Sequence, residues 1–386
     1  MTTNNESQVE SNVPEPRANP DLAGHEVSEQ FLLNGFQSGR LAHAWLFCGP
    51  PGIGKATLAY RFARYVLSAG GSTQHVDPNQ DSLFGEEPVP ENHADGLALP
   101  EGHPVFQRVK SGGHADLMSV ERQKDEKTGK QKSEIVVDDV RPIGPFLNLT
   151  AAEGGWRVVV IDAADDMNRS AANALLKVLE EPPAKALLLL VSHNPGRLLP
   201  TIRSRCQRLV MKPLEESALQ GLLLRYRPDL SPDDAGALAR LAEGSIGRAL
   251  SLAEEGGVGL YWEFMDLIAG LPTLDIKSLH AFGDKLARPG QEEAFRTFMA
   301  LSQGWLNRLM INLSLPETKN ATFSDAEQVL MDRLKHQDSR PDRLGAWLDA
   351  QDHINHIFSR AESAYLDKKQ VTLSLFHALE KAAMAA

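Results

Sequence analysis

The chain has 386 residues, of which 42% are hydrophobic and 24% charged, proportions typical of a globular protein with two or three domains. Its formal net charge of −11 argues against a broad basic surface for nucleic acid, although not against work beside DNA inside a larger assembly. Two cysteines exclude a disulfide framework and suit a reducing cytoplasm, and the lack of any apolar run of about eighteen residues argues against a membrane span.

The N-terminal segment is polar, carries three prolines and lacks the apolar core of a signal peptide. It is predicted to be a disordered tail at residues 1–20. Residues 28–36 then show the apolar spacing of a helix. A short apolar strand is predicted at residues 44–48, directly before a glycine-rich turn and a second helix.

This glycine-rich turn has the composition of a phosphate-binding loop, together with the preceding strand and following helix that such a loop requires. Glycines allow successive backbone N–H groups to face a phosphate, and the helix N-terminus adds positive potential. A lysine supplies a point charge for the outer phosphates of a nucleotide. The candidate nucleotide-binding residues of the loop are Gly49, Pro50, Pro51, Gly52, Ile53, Gly54 and Lys55.

Two departures from the motif weaken metal-assisted hydrolysis. Ala56 stands where a Ser or Thr hydroxyl would hold Mg²⁺, and Thr57, one residue further along the helix, faces about 100° away. Asp162 ends a later apolar strand, where a carboxylate could hold the metal or simply form a polar strand end. Ala163 follows it in place of a glutamate that would activate water. We therefore expect ATP or ADP binding, with weak Mg²⁺ binding if any.

Strands and helices alternate up to residue 213, which predicts an α/β domain whose parallel sheet is covered by helices on both faces. A segment at residues 70–115, rich in Gly, Pro, Asn and Asp, lacks periodicity and is predicted to be an extended insertion. One helix is predicted at residues 138–149 and another after a cap at Asn168 or Ser170. Beyond residue 213 the pattern is helical throughout. The later strands are predicted at residues 116–120, 156–161, 186–191 and 208–211.

Four segments resemble, in order and spacing, the AAA+ proteins of the bacterial clamp loader. They are HAWLFCGPPGIGK at residues 43–55, AANALLKVLEEPP at 171–183, TIRSRC at 201–206 and GSIGRAL at 244–250. The resemblance implies a RecA-like AAA+ P-loop domain at residues 21–213, a small helical lid at 214–255 and a helical collar domain at 256–386. Residues 365–376 are weakly similar to the end of the collar in delta-prime subunits.

The resemblance also implies roles for single residues. Arg205 matches the arginine finger that reaches into the ATP site of an adjacent subunit, where such a residue stabilises charge on the transferred phosphate. Taken alone, Arg205 would suit a cation at a helix C-terminus. Arg248 matches the nucleotide sensor of the lid, although it also fits a surface arginine after a Ser245 cap. His193 occupies the first sensor position, where relatives commonly carry a small polar residue.

Clamp-loader subunits of this group often carry a zinc module with four clustered cysteines after the first helix. This chain has no such cluster of cysteines in that region. Its histidines in that region are too scattered to replace them, so no zinc is expected. These histidines are His75, His93, His103 and His114.

Two types of clamp-loader subunit compete. A tau/gamma-like motor would hydrolyse ATP, whereas a delta-prime-like partner would lend Arg205 to a neighbour while hydrolysing little itself. Ala56 and Ala163 together favour the delta-prime type. Its expected partners are the tau/gamma and delta subunits, with the sliding clamp and primed DNA reached through the complex and no membrane involved. A third alternative, a P-loop kinase or an unrelated nucleotide-binding protein, would need a substrate-binding segment that the sequence does not show and would leave the SRC and GSIGRAL segments unexplained.

Overall fold

The computed structural model describes residues 13–71, 96–124, 129, 131–153, 155–314, 325–336, 343–364 and 366–385. The chain divides into two compact units, Met1–Ala218 and Leu219–Ala386. The predicted division of the helical half into a lid and a collar near residue 255 stays a prediction.

The first unit is built on a parallel sheet. Within its described residues, five strands lie in the order β2-β3-β4-β1-β5, and every neighbouring pair is parallel. Sequence patterning placed each strand to within two residues. The strands are β1 Ala44–Cys48, β2 Leu117–Glu121, β3 Arg157–Asp162, β4 Ala186–Ser192 and β5 Gln207–Val210.

Alternating side chains of the strands divide the core into two layers, one on each face of the sheet. Trp45 and Phe47 of β1 pack in a cluster with residues of the first two helices, whereas Leu46 packs in the opposite cluster. The helices of this unit are α1 Glu26–Gln37, α2 Lys55–Gly71, α3 Pro104–Lys110, α4 Val137–Val140, α5 Ile143–Asn148, α6 Arg169–Glu180 and α7 Pro200–Arg203. The predicted RecA-like α/β fold, with a loop between β1 and α2, is confirmed.

The prediction of a single helix at residues 138–149 is wrong. Two short helices, α4 and α5, lie there instead, with Pro142 at the start of the second. Proline has no backbone N–H and its ring clashes with the carbonyl of the preceding turn, so the helix breaks at this position.

The predicted disordered tail is packed in its second half. Residues 16–18 form a 3₁₀ turn. The guanidinium of Arg64, whose side chain is only 1% exposed, donates to the carbonyls of Arg17 at 2.9 Å and Asn19 at 2.8 Å. The prediction of disorder is therefore wrong for residues 13–20. Residues 1–12 lie outside the described residues, so for them it stays a prediction.

The predicted insertion at residues 70–115 is also packed at its end. Leu97 and Phe106 are fully buried, and α3 begins at Pro104 after a cap in which His103 Nδ1 accepts from the N–H of Val105. Proline in the first turn of a helix is compatible with its missing N–H, so this helix had a sequence signal. Residues 72–95, which make up much of the predicted insertion, lie outside the described residues.

The described residues after β5 contain helices and no strands, as the sequence predicted. Phe264, Phe298 and Phe376 form the centre of an aromatic core in the second unit, with ring centroids 5.8–6.1 Å apart. No helix in the described ranges is long and apolar enough to cross a membrane. The helices are α8 Glu216–Tyr226, α9 Pro232–Leu241, α10 Ile246–Glu254, α11 Gly257–Ile268, α12 Ile276–Ala287, α13 Glu292–Ser314, α14 Asp325–His336, α15 Arg343–Ala364 and α16 Lys368–Ala385.

Candidate nucleotide site and exposed arginine

The loop between β1 and α2 depends on glycine at several positions. A Cβ atom on Gly49 would lie 2.6 Å from the carbonyl oxygen of Met211 and 2.8 Å from Cδ1 of Ile53. Gly52 and Gly54 adopt positive φ angles of 72° and 99°, which other residues rarely do. The backbone therefore takes the tight path that the glycine-rich motif predicted.

Lys55 is the first residue of α2 and is only 3% exposed. Its ammonium group donates to the carbonyl of Pro50 within the loop. Burial lowers the pKa of this group to about 8, although the carboxylates of Asp162 and Asp165 act in the opposite direction. The candidate phosphate-binding charge is thus bonded to the loop's own backbone.

His25 closes the loop from the N-terminal side. It is 4% exposed, and its Nε2 lies 2.6 Å from the carbonyl oxygen of Ile53, so Nε2 carries the proton of this hydrogen bond. Burial lowers the pKa of the imidazole. Sequence reasoning missed this residue because its partner is distant in the chain and no motif marks it.

The two departures from the motif occupy apolar surroundings. Ala56 packs against the core cluster on its face of the sheet, and Ala163 is buried after β3. Thr57 is also buried. Asp162 ends β3, and burial raises the pKa of its carboxyl to about 6, with Glu121 adding to the shift. Desolvation therefore penalises the charged form of this carboxyl, although the group is mostly ionised at neutral pH.

The Asp165 carboxylate is hydrogen-bonded to the chain at the end of β4. It accepts from the hydroxyl of Ser192 at 2.7 Å, from the backbone N–H of Asn194 at 3.0 Å and from the backbone N–H of His193. The carboxylate therefore fixes the chain that leaves β4. Partial burial and the Lys55 ammonium both lower the pKa of the His193 imidazole, which keeps it in the neutral form.

Arg205 lies on the other side of this unit, just after α7. Its side chain is 35% exposed and its Nη2 lies 2.8 Å from Oε1 of Glu180, which is itself 50% exposed. Its Nη1 donates to the carbonyl of Thr201 at 3.1 Å. Glu180 is the last residue of α6, and no sequence motif marks it as a functional residue.

Arg248 belongs to the second unit. Its backbone N–H donates to the Ser245 hydroxyl at 3.1 Å, which confirms the predicted cap, and its Nη1 pairs with Glu243 Oε2 at 3.1 Å. Its role as a sensor stays a prediction. In the parts of both units that the structure describes, no group of three or more His, Cys, Asp or Glu residues is arranged to hold a metal ion.

A family model described as "DNA polymerase III, delta subunit" matches residues 24–215, which contain the loop, Asp162 and Arg205. Over these residues, just under half of the chain, the sequence is similar to this family. The matched region covers the sheet and α1 to α7 and ends where the helical part of the chain begins.

Curated relatives of this clamp-loader family agree with the match. The chain is 36% identical over 234 residues to DNA polymerase III subunit delta' of Pseudomonas aeruginosa, and 34% identical over 221 residues to that of Escherichia coli. It is 29% identical over 244 residues to the E. coli subunit tau. The alignments cover 60% and 57% of this chain and 61% and 57% of the two delta' relatives, so the chain spans about three fifths of their length.

Among solved structures, the chain is similar to a DNA polymerase III gamma subunit-related protein of Thermotoga maritima. The two are 18% identical with a TM-score of 0.38, over 91% of this chain and 99% of the other.

Proposed function

We propose that this chain acts as a delta-prime-type subunit of a DNA polymerase III clamp loader, completing the ATP site of a neighbouring subunit with Arg205. One contrast supports the proposal. Arg205 presents an exposed guanidinium, whereas Ala56 and Ala163 are apolar at the two positions that metal binding and water activation require. Such a chain would assist ATP hydrolysis at the site of a neighbouring subunit rather than perform it at its own site.

The loop fits a nucleotide phosphate better than it fits a metal. Gly52 and Gly54 give the backbone a path compatible with phosphate binding, and Lys55 would provide positive charge once released from Pro50. ATP or ADP is the ligand that we propose, and such a nucleotide would neutralise the buried ammonium. For Mg²⁺ the fit is poor, because Ala56 offers no hydroxyl at the usual metal-binding position and both oxygens of Asp165 already accept hydrogen bonds from the chain that leaves β4.

The role of Arg205 is electrostatic. A guanidinium keeps its charge at any physiological pH and offers five N–H donors in one plane. Placed against the outer phosphate of a neighbour's nucleotide, it would stabilise the negative charge that develops during transfer, an effect of about a thousandfold or more in rate. Arg248 remains our proposed sensor of the chain's own nucleotide, with His193 at the first sensor position.

The partners that follow from this role are tau/gamma and delta subunits, in a ring-like hetero-oligomer that acts on the sliding clamp and primed DNA. The E. coli relatives named delta' and tau are both subunits of DNA polymerase III, which supports this set. The cytoplasm is the proposed location, because both cysteines are free and buried and DNA replication takes place there.

The test is ATP turnover in a complex reconstituted from this chain, tau/gamma, delta, the sliding clamp and primed DNA. We expect negligible turnover by the chain alone and a clear drop in the complex on Arg205→Ala. Arg208→Ala serves as the matched control, because Arg208 is an exposed arginine three residues further along, outside the motif. Robust turnover by the isolated chain would instead indicate a tau/gamma-like motor that tolerates Ala56 and Ala163.

A further inference from the structure

The C-terminal end of α6 carries two acidic residues where a helix favours basic ones. Glu180 is the last helical residue and Glu181 follows it directly. Carboxylates at this end face the negative pole of the helix dipole and the unpaired carbonyls of the last turn, which is unfavourable for helix formation. Places where a sequence opposes its own local structure are often functional.

Arg205 is the cation that compensates one of these two carboxylates. The guanidinium is held from two sides, by Glu180 Oε1 at Nη2 and by the Thr201 carbonyl at Nη1. Among the described residues these contacts occupy two of its five N–H donors, so three remain for another ligand. No ion pair of Glu181 occurs in the described ranges, which makes it a natural control for its neighbour.

We propose that Glu180 is a positioning residue that orders the Arg205 guanidinium before it meets the terminal phosphate of a neighbour's nucleoside triphosphate. This inference rests on the proposed function of Arg205. An unrestrained arginine samples many rotamers and must lose that freedom on binding phosphate. A guanidinium already held at Nη1 and Nη2 loses less, so more of its interaction with the phosphate is available in the transition state.

The pair is suited to order the arginine without sequestering it. An ion pair in which both side chains are one third to one half exposed is weak, since water screens it on several sides. A triphosphate carries several negative charges and therefore competes successfully for the remaining donors. The opposite role, a mask that holds Arg205 away from nucleotide, predicts the opposite effect when the carboxylate is removed.

The experiment measures ATP turnover in the reconstituted complex with Glu180→Gln, Glu181→Gln, Glu180→Asp, Arg205→Ala and the double variant Glu180→Gln/Arg205→Ala. The Arg205-dependent part is the difference between wild type and Arg205→Ala. We expect Glu180→Gln to lower this part roughly threefold to tenfold with an unchanged KM for ATP, since the ordering of one arginine is at stake. Glu180→Asp should restore part of it, and Glu181→Gln should match wild type.

Several outcomes separate this inference from the proposed function. If Arg205→Ala leaves turnover unchanged, the proposed function itself is wrong. If Arg205→Ala lowers turnover but Glu180→Gln equals Glu181→Gln, or raises turnover, Glu180 is no positioning residue. A further loss in the double variant beyond Arg205→Ala would also overturn the inference, because a residue that acts through Arg205 has no effect once Arg205 is absent. Equal melting temperatures of all variants exclude a folding defect as the cause.

Discussion

Two regions of the first unit carry candidate nucleotide chemistry, and they differ in where their polar groups find partners. At the loop, Lys55 and His25 are buried and bonded to carbonyls of the loop itself. After α7, Arg205 is partly exposed and bonded to one surface carboxylate and one carbonyl. The first region is internally satisfied, whereas the second retains free donors toward solvent.

Under our proposal, this difference separates the groups that serve the chain's own nucleotide from the group that serves a neighbour's nucleotide. A group that serves the chain's own nucleotide can be buried, because hydrogen bonds to carbonyls of the loop satisfy it within the fold. A group that serves a neighbour has to stay accessible, and its partners have to be weak enough to yield. Exposure, more than residue identity, distinguishes the two regions.

The largest effect on stability is expected at Asp165, whose carboxylate we regard as structural. Asp165→Ala should lower the free energy of unfolding by about 2–4 kcal/mol, because three hydrogen bonds to an ionised acceptor are lost. Urea denaturation at pH 7.5 measures this. Asp166→Ala is the control: its pair with Arg122 at 3.1 Å is partly exposed and should contribute less than about 1 kcal/mol. Equal effects at the two positions would show that Asp165 is not the anchor of the chain after β4.

A smaller effect of opposite sign is expected at Asp162. The folded protein holds this carboxyl at a pKa near 6, above the ordinary value of 3.8, so it binds more protons than the unfolded chain between these values. Stability from this group therefore falls as pH rises from about 4 to 6 and stays reduced above that range. Asp162→Asn should raise the free energy of unfolding by roughly 1–3 kcal/mol at pH 7.5.

The pH dependence decides whether this cause is correct. The gain from Asp162→Asn should shrink to a small part of its value near pH 4, where the folded wild type holds the proton and the unfolded chain, with its ordinary pKa of 3.8, is close to half protonated. Urea denaturation at pH 4, 5.5 and 7.5 provides the comparison. A gain of the same size at all three pH values would assign the effect to packing rather than to the buried charge. The desolvation penalty for a charged group near the loop would then be smaller than we infer.

The smallest effect on turnover is expected at Lys55. Lys55→Met should weaken nucleotide binding by the isolated chain about tenfold or more, since a charge-assisted contact to phosphate is lost. Turnover of the reconstituted complex should change by less than about twofold, because the chain's own loop performs no hydrolysis in our proposal. Isothermal titration with ADP and a coupled ATPase assay measure the two quantities. A loss of turnover comparable to that of Arg205→Ala would remove the distinction between the two regions.

The sheet was predictable from sequence because its strands are short apolar runs bounded by polar residues, and parallel strands buried on both faces take that form. Boundaries were less predictable where local and distant factors compete. Pro142 divided a helix that apolar spacing had extended across it. Arg64, distant in sequence, fixes residues 17–19, which composition alone assigned to a tail.

The candidate site was predictable to the extent that it consists of contiguous motifs. The glycine-rich loop and the SRC segment are read directly from neighbouring residues. His25 and Glu180 were not found, because their importance lies in single contacts to Ile53 and Arg205 across 28 and 25 positions of chain. The local oddity of two glutamates ending α6 was the one signal available for Glu180.

The position of β1 in the sheet limits how this protein can be recombined with its relatives. β1 leads into the loop and pairs on one side with β5, in which Gln207 lies opposite Trp45. Because β5 begins two residues after Arg205, the two regions are joined through a single hydrogen-bonded ladder. A chimera that exchanges only the loop, or only the SRC segment, would join strands selected for different neighbours. Exchange of the whole stretch from residue 44 to residue 210 would preserve the register and transfer the loop and the SRC segment together.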